Sequence, residues 1–290
     1  MDSDKCKADI LIVTTQNLDA FQNEGYNSVV NTLTKFSVPA NKLSIDPNGV
    51  DTTYIRNVLY RNNDEGRYKA IVFPNGRVSY NSGGDQWVSA IRPDQWLLFD
   101  EYSAVTGSRI VYLNEYPSNN TATELAYDFK GDQASNFKIA QKISFPEDSS
   151  SFIEDLKDIE LNTQDTWHFP AKIEDESKYK VDGFDSVEPL LYFESAGETI
   201  PEKTIAAVAC ERQGSIYAGF FTSFGSWSKT AAALNIYWLT WALNTDFSKI
   251  SDAHISTEKA LDMSSDAPKS IKLALLSLVV STLLVIFVTF

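Results

Sequence analysis

KAIVFPNGRVSYNSGGDQWVSAIRPDQWLLFDEYSAVTGSRIVYLNEYP, residues 69–117, is the stretch that decides the fold. Its apolar run Ala70–Phe73 ends at the turn residues Pro-Asn-Gly, which is typical of a buried strand. A second apolar run, residues 110–113, ends in the same way in a polar segment. Between the two runs, apolar residues recur at helical spacing from Pro93, a favoured first-turn residue, to Gly107. The stretch therefore predicts a strand, a loop, a helix and a second strand.

Such a unit usually places its two strands side by side in a parallel sheet, joined by a right-handed crossover. Ligands of these sheets collect at the carboxyl ends of the strands, which selects the loops at residues 74–85 and 114–117. The loops mix aromatic, amide and carboxylate side chains, a combination that suits a sugar, since rings stack on its faces and polar groups bond its hydroxyls. We expect carbohydrate contacts from Tyr80, Asp85, Trp87, Asn114 and Glu115. The alternative is a solvated loop in which Tyr80 and Trp87 only cover the sheet edge.

The rest of the first 117 residues alternates strands and helices in the same manner. Residues 8–14 and 43–45 have the pattern of strands, and residues 19–36 and 51–60 have the pattern of helices. This alternation predicts an α/β fold. We expect a Rossmann-like or flavodoxin-like, mostly parallel sheet with helices on both faces.

Residues 118–200 lack this alternation. We expect them to form an irregular or antiparallel extension of the same domain, which spans residues 1–250. Strand patterns then return, and residues 205–210 and 216–221 are predicted to pair as a hairpin across a short turn.

Two aromatic groups stand out in the second half of the chain. Trp167, His168 and Phe169 are consecutive, and they are core if buried or a sugar platform if exposed; core is the favoured interpretation. A helix is predicted to begin at Trp227, and its apolar residues are spaced four and three apart: Trp227, Ala231, Leu234, Trp238 and Trp241. One continuous stripe indicates packing, which places Trp238 and Trp241 in the core. Trp227, at the helix start beside a strand end, is a further candidate carbohydrate contact.

Two blocks of sequence resemble a known family. WVSAIRPDQWLLFDEYSAVTGSRIVYLNEYP, residues 87–117, and FFTSFGSWSKTAAALNIYWLTWAL, residues 220–243, follow the opening strand ADILIVTT in that order. Together they resemble carbohydrate-binding module family 87, the amino-terminal module of the fungal galactosaminogalactan deacetylases. The resemblance covers most of residues 8–245 and does not extend to the deacetylase domain. It implies a protein that binds an amino-sugar polysaccharide without deacetylating it.

Charge and missing motifs narrow the function classes. The net charge of -14 offers no basic patch for phosphates, so we expect no nucleic-acid partner, and it could attract a cationic glycan. The two histidines, His168 and His254, have no partner at metal-ligand spacing, and no cofactor or metal is expected. No nucleophile elbow or phosphate loop is present. One alternative to a binding module is a hydrolase-like or amidotransferase-like enzyme at the same strand ends, with His168 as its base; Cys210 is its candidate nucleophile but has no helix directly after its strand. A third option is a structural wall protein with no ligand.

The last residues predict a membrane-directed segment. Residues 273–290 are uninterruptedly apolar or small, and as a helix they would extend about 27 Å. They follow a polar linker, residues 251–272, in the layout of a glycosylphosphatidylinositol signal with attachment at Ser264 or Ser265. The alternative is a retained membrane helix.

We therefore expect a cell-surface protein of the plasma membrane or cell wall. Residues 1–7 have no signal-peptide pattern, so the expected surface location requires a start upstream of this sequence, and an inserted tail with a cytosolic domain is the other possibility. Asn119 begins the one glycosylation sequon. Cys6 and Cys210 are the two cysteines, and one bridge between them is possible.

Overall fold

The computed structural model describes residues 9–61, 65–83, 86–127, 139–147, 156, 159–164, 166–245 and 247. Its strands are β1 (Ile10–Thr15), β2 (Ala40–Ile45), β3 (Ala70–Phe73), β4 (Ser79–Asn81), β5 (Trp87–Ser89), β6 (Arg109–Tyr112), β7 (Thr123–Leu125), β8 (Lys142–Ser144), β9 (Leu161–Asn162), β10 (Ala171–Ile173), β11 (Phe184–Phe193), β12 (Thr204–Arg212) and β13 (Ser215–Phe220). Its α-helices are α1 (Ala20–Lys35), α2 (Thr52–Leu59), α3 (Pro93–Thr106), α4 (Glu176–Val181) and α5 (Lys229–Leu243).

The first half of the main sheet is parallel. In the order β2-β1-β3-β6-β13, each strand runs parallel to its neighbour. Every residue of β1 and of β3 is buried, as expected of a parallel sheet that is covered on both faces. The predicted α/β class with a largely parallel central sheet is confirmed. The narrower Rossmann-like or flavodoxin-like assignment stays a prediction.

The second half of the sheet is antiparallel. Strands β12, β11, β8 and β9 continue the order, and β10 pairs with both β12 and β7. Strands β12 and β13 form the predicted hairpin, which turns through Gln213 and Gly214. Both turn residues have positive φ, 51° and 81°, and this is the backbone that a two-residue hairpin turn requires.

Helices cover both faces of the parallel half. On one face, Phe73 of β3 contacts Phe99 of α3 with ring centroids 5.4 Å apart. In the sheet, Phe73 of β3 is level with Tyr112 of β6, and Tyr112 is level with Gly219 of β13. Because successive residues of a strand point to opposite faces, Phe220 points to the face opposite Phe73. There Phe220 contacts Tyr237 of α5, and α5 is hydrogen-bonded to α1.

The last helix begins later than the sequence predicts. The side chain of Ser228 accepts a hydrogen bond from the backbone N–H of Ala231 at 3.1 Å, so it caps the helix and Trp227 precedes it. Trp238 is fully buried, which confirms its place in the core. Trp241 is only half-buried, because it lies in the last turn of the helix, where the core ends.

The segment between β3 and α3 contains an element that the sequence does not predict. Strands β4 and β5 pair antiparallel as a separate hairpin, with Tyr80 opposite Val88 and Asn81 opposite Trp87. Each strand has three residues, which is too short to show an alternating pattern. The loop predicted at residues 74–85 is therefore wrong for residues 79–81, which form β4.

Some predictions concern residues outside those that the structure describes. They include Asp85, His254, Cys6, residues 149–155 of a brief helix that the sequence predicts over residues 149–156, the linker 251–272 with Ser264 and Ser265, and the tail 273–290. None of the described helices combines the length and the apolar character that crossing a membrane requires.

Candidate functional site

The carboxyl ends of the parallel strands lie at one edge of the sheet. The strand order reverses at β1, which has β2 on one side and β3 on the other, and ligands of open α/β sheets bind beside such a reversal. The backbone N–H of Gly76 donates to the carbonyl of Leu113 at 2.7 Å, and that of Glu115 donates to the carbonyl of Phe220 at 2.9 Å. The segments after β3, β6 and β13 are thus joined. We call the surface of residues 74–83, 86–92 and 113–121 the carboxyl-edge site.

Three residues of the segments after β3 and β6 have left-handed backbone conformations. Gly76, Val78 and Asn114 have φ of 56°, 55° and 54°. Glycine and asparagine tolerate this left-handed region, but it strains a β-branched valine. A Cβ at Gly76 would lie 3.0 Å from the carbonyl oxygen of Asn114, so the two segments approach more closely than a side chain permits. Strain of this kind persists where the surroundings enforce it, often at functional sites.

An ion pair lies between the two strained segments. The Nε of Arg77 donates to Oε1 of Glu115 at 3.0 Å, and its Nη2 reaches the carbonyl of Asn120 at 3.4 Å. The guanidinium lies over the ring of Tyr112, 3.9 Å from the centroid, and 5.4 Å from that of Trp96. Cation–π contacts of this type contribute about 0.5 to 2 kcal/mol. Arg77 is therefore fixed by a carboxylate and two aromatic rings.

The two members of the pair differ in exposure. The side chain of Glu115 is 2% exposed and that of Arg77 is 22% exposed. Burial raises the pKa of Glu115 above its ordinary value, although Arg77 acts in the opposite direction. Burial also opposes the charge of Arg77, but Glu115 and Tyr112 outweigh it and raise the pKa of the guanidinium. The arginine is the charged group that the pair presents to solvent.

The sequence predicts a hydrogen-bond acceptor, Glu115, at this position of the site, whereas the structure exposes a donor, Arg77. Glu115 is a predicted acceptor for the ligand, but one of its oxygens is engaged by Arg77, and the other is enclosed with no donor among the described residues. Its direct contact with a ligand stays a prediction. Arg77 is not among the predicted site residues. Its position directly after the Asn75-Gly76 turn at the end of β3 is the signal that could have identified it.

The β4–β5 hairpin carries the two predicted aromatic contacts. Trp87 is paired with Asn81, the residue that follows Tyr80. Because successive residues of a strand point to opposite faces, Tyr80 and Trp87 lie on opposite faces of the ribbon. Tyr80 packs against the main hydrophobic core. Trp87 is half-buried on the other face, and its indole N–H is enclosed without a partner among the described residues. The hairpin is tied to the site by the hydroxyl of Ser89, which donates to the carbonyl of Arg77 at 2.7 Å.

Trp227 lies apart from the hairpin. Its ring covers Gly225 so closely that a Cβ there would lie 2.2 Å from it. The neighbouring Ser226 donates to Glu24 of α1 at 2.7 Å, whereas the hairpin is held by Gln22 of α1 through its amide. Helical residues two apart point to different sides, so α1 separates Trp227 from the hairpin. The structure does not bring Trp227 together with Trp87.

The remaining predicted positions are placed as follows. Asn114 is half-buried in the strained segment after β6. Asn119 is exposed in a 3-10 turn, Asn119–Thr121, and the carbonyl of the next residue, Asn120, accepts the hydrogen bond from Arg77. The predicted glycosylation site therefore lies within the carboxyl-edge site.

The consecutive aromatic group is core, as the sequence favours. Trp167 and His168 are buried and Phe169 is half-buried. The Nε2 of His168 lies 2.9 Å from the amide oxygen of Gln141, and its ring packs against Phe193. Burial lowers the pKa of His168 to about 4. The imidazole is therefore uncharged at neutral pH.

The second residue that an enzyme would draw on, Cys210, has different neighbours from this histidine. Cys210 is a free, buried thiol whose Sγ lies 3.5 Å from the carbonyl oxygen of Thr121. Burial raises its pKa to about 12, and a thiol in that state is a poor nucleophile. Within the described ranges, no three His, Cys, Asp or Glu side chains gather as a metal ion would require.

Several solved structures are similar to this chain. The crystal structure of Agd3, a carbohydrate deacetylase, superposes with a TM-score of 0.64 at 24% sequence identity, covering 81% of this chain and 32% of Agd3. The chain thus spans about a third of the length of that protein. A ThuA-like protein from Parabacteroides merdae has a TM-score of 0.47 at 10% identity, covering 81% of this chain and 89% of its own. A β-galactosidase from Bacillus circulans sp. alkalophilus also has 0.47 at 10% identity, covering 82% and 30%.

No curated protein matches the chain in sequence. The model of the family described as Agd3 CBM87, in contrast, matches residues 6–241. This match covers the parallel sheet, the antiparallel extension and nearly all of α5. It confirms the resemblance of the two sequence blocks. The chain belongs to carbohydrate-binding module family 87.

Proposed function

We propose that this protein is a non-catalytic, cell-surface polysaccharide-binding protein whose ligand is an amino-sugar-containing, galactosaminogalactan-like fungal glycan. The observation that carries the proposal is the family match over residues 6–241. The ligand would lie on the carboxyl-edge site, where Trp87 offers a ring for stacking and Arg77 offers hydrogen-bond donors. Asn114 and the predicted Asp85 lie in the same two segments of the sequence.

Binding without turnover fits the chemistry of the described residues. A general base must be able to reach a substrate and change its protonation near the working pH. His168 is enclosed, and its pKa of about 4 keeps it neutral. Cys210 is a protonated thiol with different neighbours. These observations favour a binding module over the hydrolase-like or amidotransferase-like alternative.

The cell-surface part of the proposal depends on the sequence. Residues 273–290 would anchor the protein, either through lipid attachment at Ser264 or Ser265 or as a retained membrane helix. Asn119 would carry an N-linked glycan. The partner is a cell-wall polysaccharide or exopolysaccharide, and no nucleic acid is expected to bind an acidic protein of this charge.

A pair of tryptophan substitutions tests the binding site. Trp87→Ala removes the ring at the carboxyl-edge site, and Trp241→Ala removes a half-buried ring that lies at the opposite edge, beside Arg109 at the start of β6. Loss of a stacked ring weakens sugar binding by about 1 kcal/mol or more. We expect Trp87→Ala to reduce affinity for a galactosamine-rich polymer about tenfold, measured by affinity electrophoresis or calorimetry. Trp241→Ala should bind like the wild type.

The results that contradict the proposal are specific. If the folded wild-type protein binds no such polymer, the assigned ligand is wrong. If Trp87→Ala and Trp241→Ala bind equally well, the carboxyl-edge site is wrong. If purified protein cleaves or deacetylates a glycan, and His168→Gln abolishes this activity, the non-catalytic assignment is wrong.

A further inference from the structure

We propose that Arg77 sets the specificity of the carboxyl-edge site and that it selects amino sugars that keep their N-acetyl group over those with a free amine. This inference rests on the proposed carbohydrate-binding function and names the chemical form of the ligand. The recognised group is a hydrogen-bond acceptor oxygen, here the carbonyl of the acetamido substituent.

The first step is the geometry of the guanidinium. Arginine has five N–H donors and no acceptor. One donor of Arg77 is used by Glu115 at 3.0 Å, and a second reaches the carbonyl of Asn120 at 3.4 Å. Its Nη1 donates to no described residue, and the side chain is 22% exposed, so this nitrogen has no competing acceptor among the described residues. A ligand therefore meets preset N–H donors.

The second step is the rigidity of this donor group. Glu115 holds one edge of the guanidinium and Tyr112 covers its face at 3.9 Å. Val78, directly after Arg77, has a left-handed backbone, and its carbonyl is bonded by the N–H of Ala90 at 3.0 Å. A donor that is already fixed loses little conformational freedom when a ligand binds.

The third step is the sign of the charge that a ligand meets. The carboxylate of the pair is 2% exposed and lies behind the arginine, so the surface presents the cation. An acetamido carbonyl accepts a charge-assisted hydrogen bond from that cation. The ammonium of a free amino sugar offers only donors and a like charge, which acts against its binding. The half-buried ring of Trp96, 5.4 Å from the guanidinium, gives the acetamido methyl an apolar neighbour.

The net charge of the protein and the cation of Arg77 act on a ligand over different distances. The net charge of -14 attracts polycations and repels polyanions from a distance. This attraction is screened over about 10 Å at 0.1 M salt, whereas a direct hydrogen bond at Arg77 is not. Because the whole protein repels polyanions, a neutral acetamido carbonyl is a better match than the carboxylate of an acidic sugar.

The test compares three oligosaccharides of equal length by calorimetry with the full chain kept in detergent. They are N-acetylgalactosamine oligomers, the same oligomers after complete deacetylation, and galacturonic acid oligomers. We expect the acetylated form to bind about tenfold more tightly than the deacetylated form at high salt, about 0.5 M, where long-range attraction is screened. It should bind more tightly than the galacturonic acid form at about 0.05 M salt, where the acidic protein repels polyanions. At about 0.05 M salt, the net negative charge of the protein should raise the affinity of the deacetylated form. This long-range attraction therefore cannot be the source of the preference for the acetylated form.

Two variants assign the preference to Arg77. Replacing both members of the pair, as Arg77→Gln with Glu115→Gln, removes the cation without leaving an unpaired buried charge, and it should abolish the preference for the acetylated form. Arg77→Lys keeps the charge but lacks the planar set of donors, and it should reduce the preference even if the double variant does not fold. Arg109→Gln is the control, because Arg109 lies over Trp241 at the opposite edge of the sheet.

The outcomes distinguish this inference from the function on which it rests. If none of the three oligosaccharides binds, the proposed carbohydrate-binding function itself fails. If the deacetylated oligomer binds as tightly as the acetylated one at high salt, or the galacturonic acid oligomer does so at low salt, binding stands and the role of Arg77 fails. The inference also fails if folded Arg77→Lys keeps the full preference.

Discussion

The burial of His168 can be predicted from the residues beside it in the sequence. Its place within an aromatic group predicts core, and the structure agrees, with Gln141 and Phe193 as neighbours. The partner of Arg77, in contrast, lies in a different segment of the chain, and no local pattern indicates it. For the same reason the sequence predicts Glu115 as an exposed acceptor, because burial against another loop is a tertiary property.

The lowered pKa of His168 makes stability depend on pH. Its pKa is about 4 in the folded protein and near 6.5 when unfolded, so the unfolded chain binds more protons between these values. The free energy of unfolding should therefore be largest above pH 6.5 and fall as the pH is lowered towards 4. The histidine alone accounts for a loss of about 2 kcal/mol between pH 7 and pH 5. Urea unfolding of wild type and His168→Gln at both pH values measures it.

His168→Gln is the matched comparison because glutamine keeps a polar contact to Gln141 but does not titrate. Carboxylates also bind protons in this range, and they affect both proteins equally. The wild type should lose about 2 kcal/mol more than the variant on going to pH 5. Equal losses would mean that the imidazole is protonated inside the folded protein.

At the level of elements, caps and apolar spacing suffice to predict α1, α2, α3 and the parallel strands, but they do not predict α4. Strand β3 and the pairing of β12 with β13 occur as predicted, and α1 and α3 match their predicted ranges to within a residue or two. The strands of two or three residues, such as β4, β5 and β9, escape prediction because they are too short to show an alternating pattern. The hairpin that carries Trp87 is among them. Its position depends on contacts from α1 and from the segment of Arg77.

The close approach of the segments after β3 and β6 is testable with two glycines. Gly76→Ala places a Cβ 3.0 Å from the carbonyl oxygen of Asn114 and 3.3 Å from Glu115 in a backbone with φ of 56°. Gly107→Ala has a similar φ of 70° but meets no atom within 4 Å among the described residues. A left-handed alanine costs about 1 kcal/mol on its own. We expect Gly107→Ala to lose about that much unfolding free energy and Gly76→Ala to lose about 2 to 3 kcal/mol.

The same pair of variants also separates stability from binding. Gly76→Ala displaces the segment that carries Arg77, so its affinity for the polysaccharide should fall, whereas Gly107→Ala, at the end of α3, should bind normally. Both variants are compared by urea unfolding and by calorimetry. If they are equally stable and bind equally, the joined segments do not constrain each other as the distances imply.

At the level of the whole molecule, one sheet connects a part that the sequence predicts to a part that it does not. The parallel half follows from alternating strands and helices, but the antiparallel half depends on pairings between segments with weak local patterns, such as β7 with β10. The family match spans both halves, which the spacing of motifs alone could not establish. The net negative charge of the whole protein and the cation of Arg77 at the carboxyl edge then act at different distances, as the salt dependence of binding should reveal.

The apolar tail predicts how the whole molecule partitions between water and detergent. Burying about eighteen apolar or small residues favours a membrane strongly, so the full chain should enter the detergent phase on cloud-point separation. A chain that ends after residue 250 keeps Phe247, which packs against Phe36 with centroids 5.6 Å apart, and it should stay in the aqueous phase and bind glycan unchanged. On cells that export the protein, release by a phosphatidylinositol-specific phospholipase would indicate a lipid anchor, and retention would indicate a membrane helix. A full chain that remains in the aqueous phase would contradict both forms of anchoring.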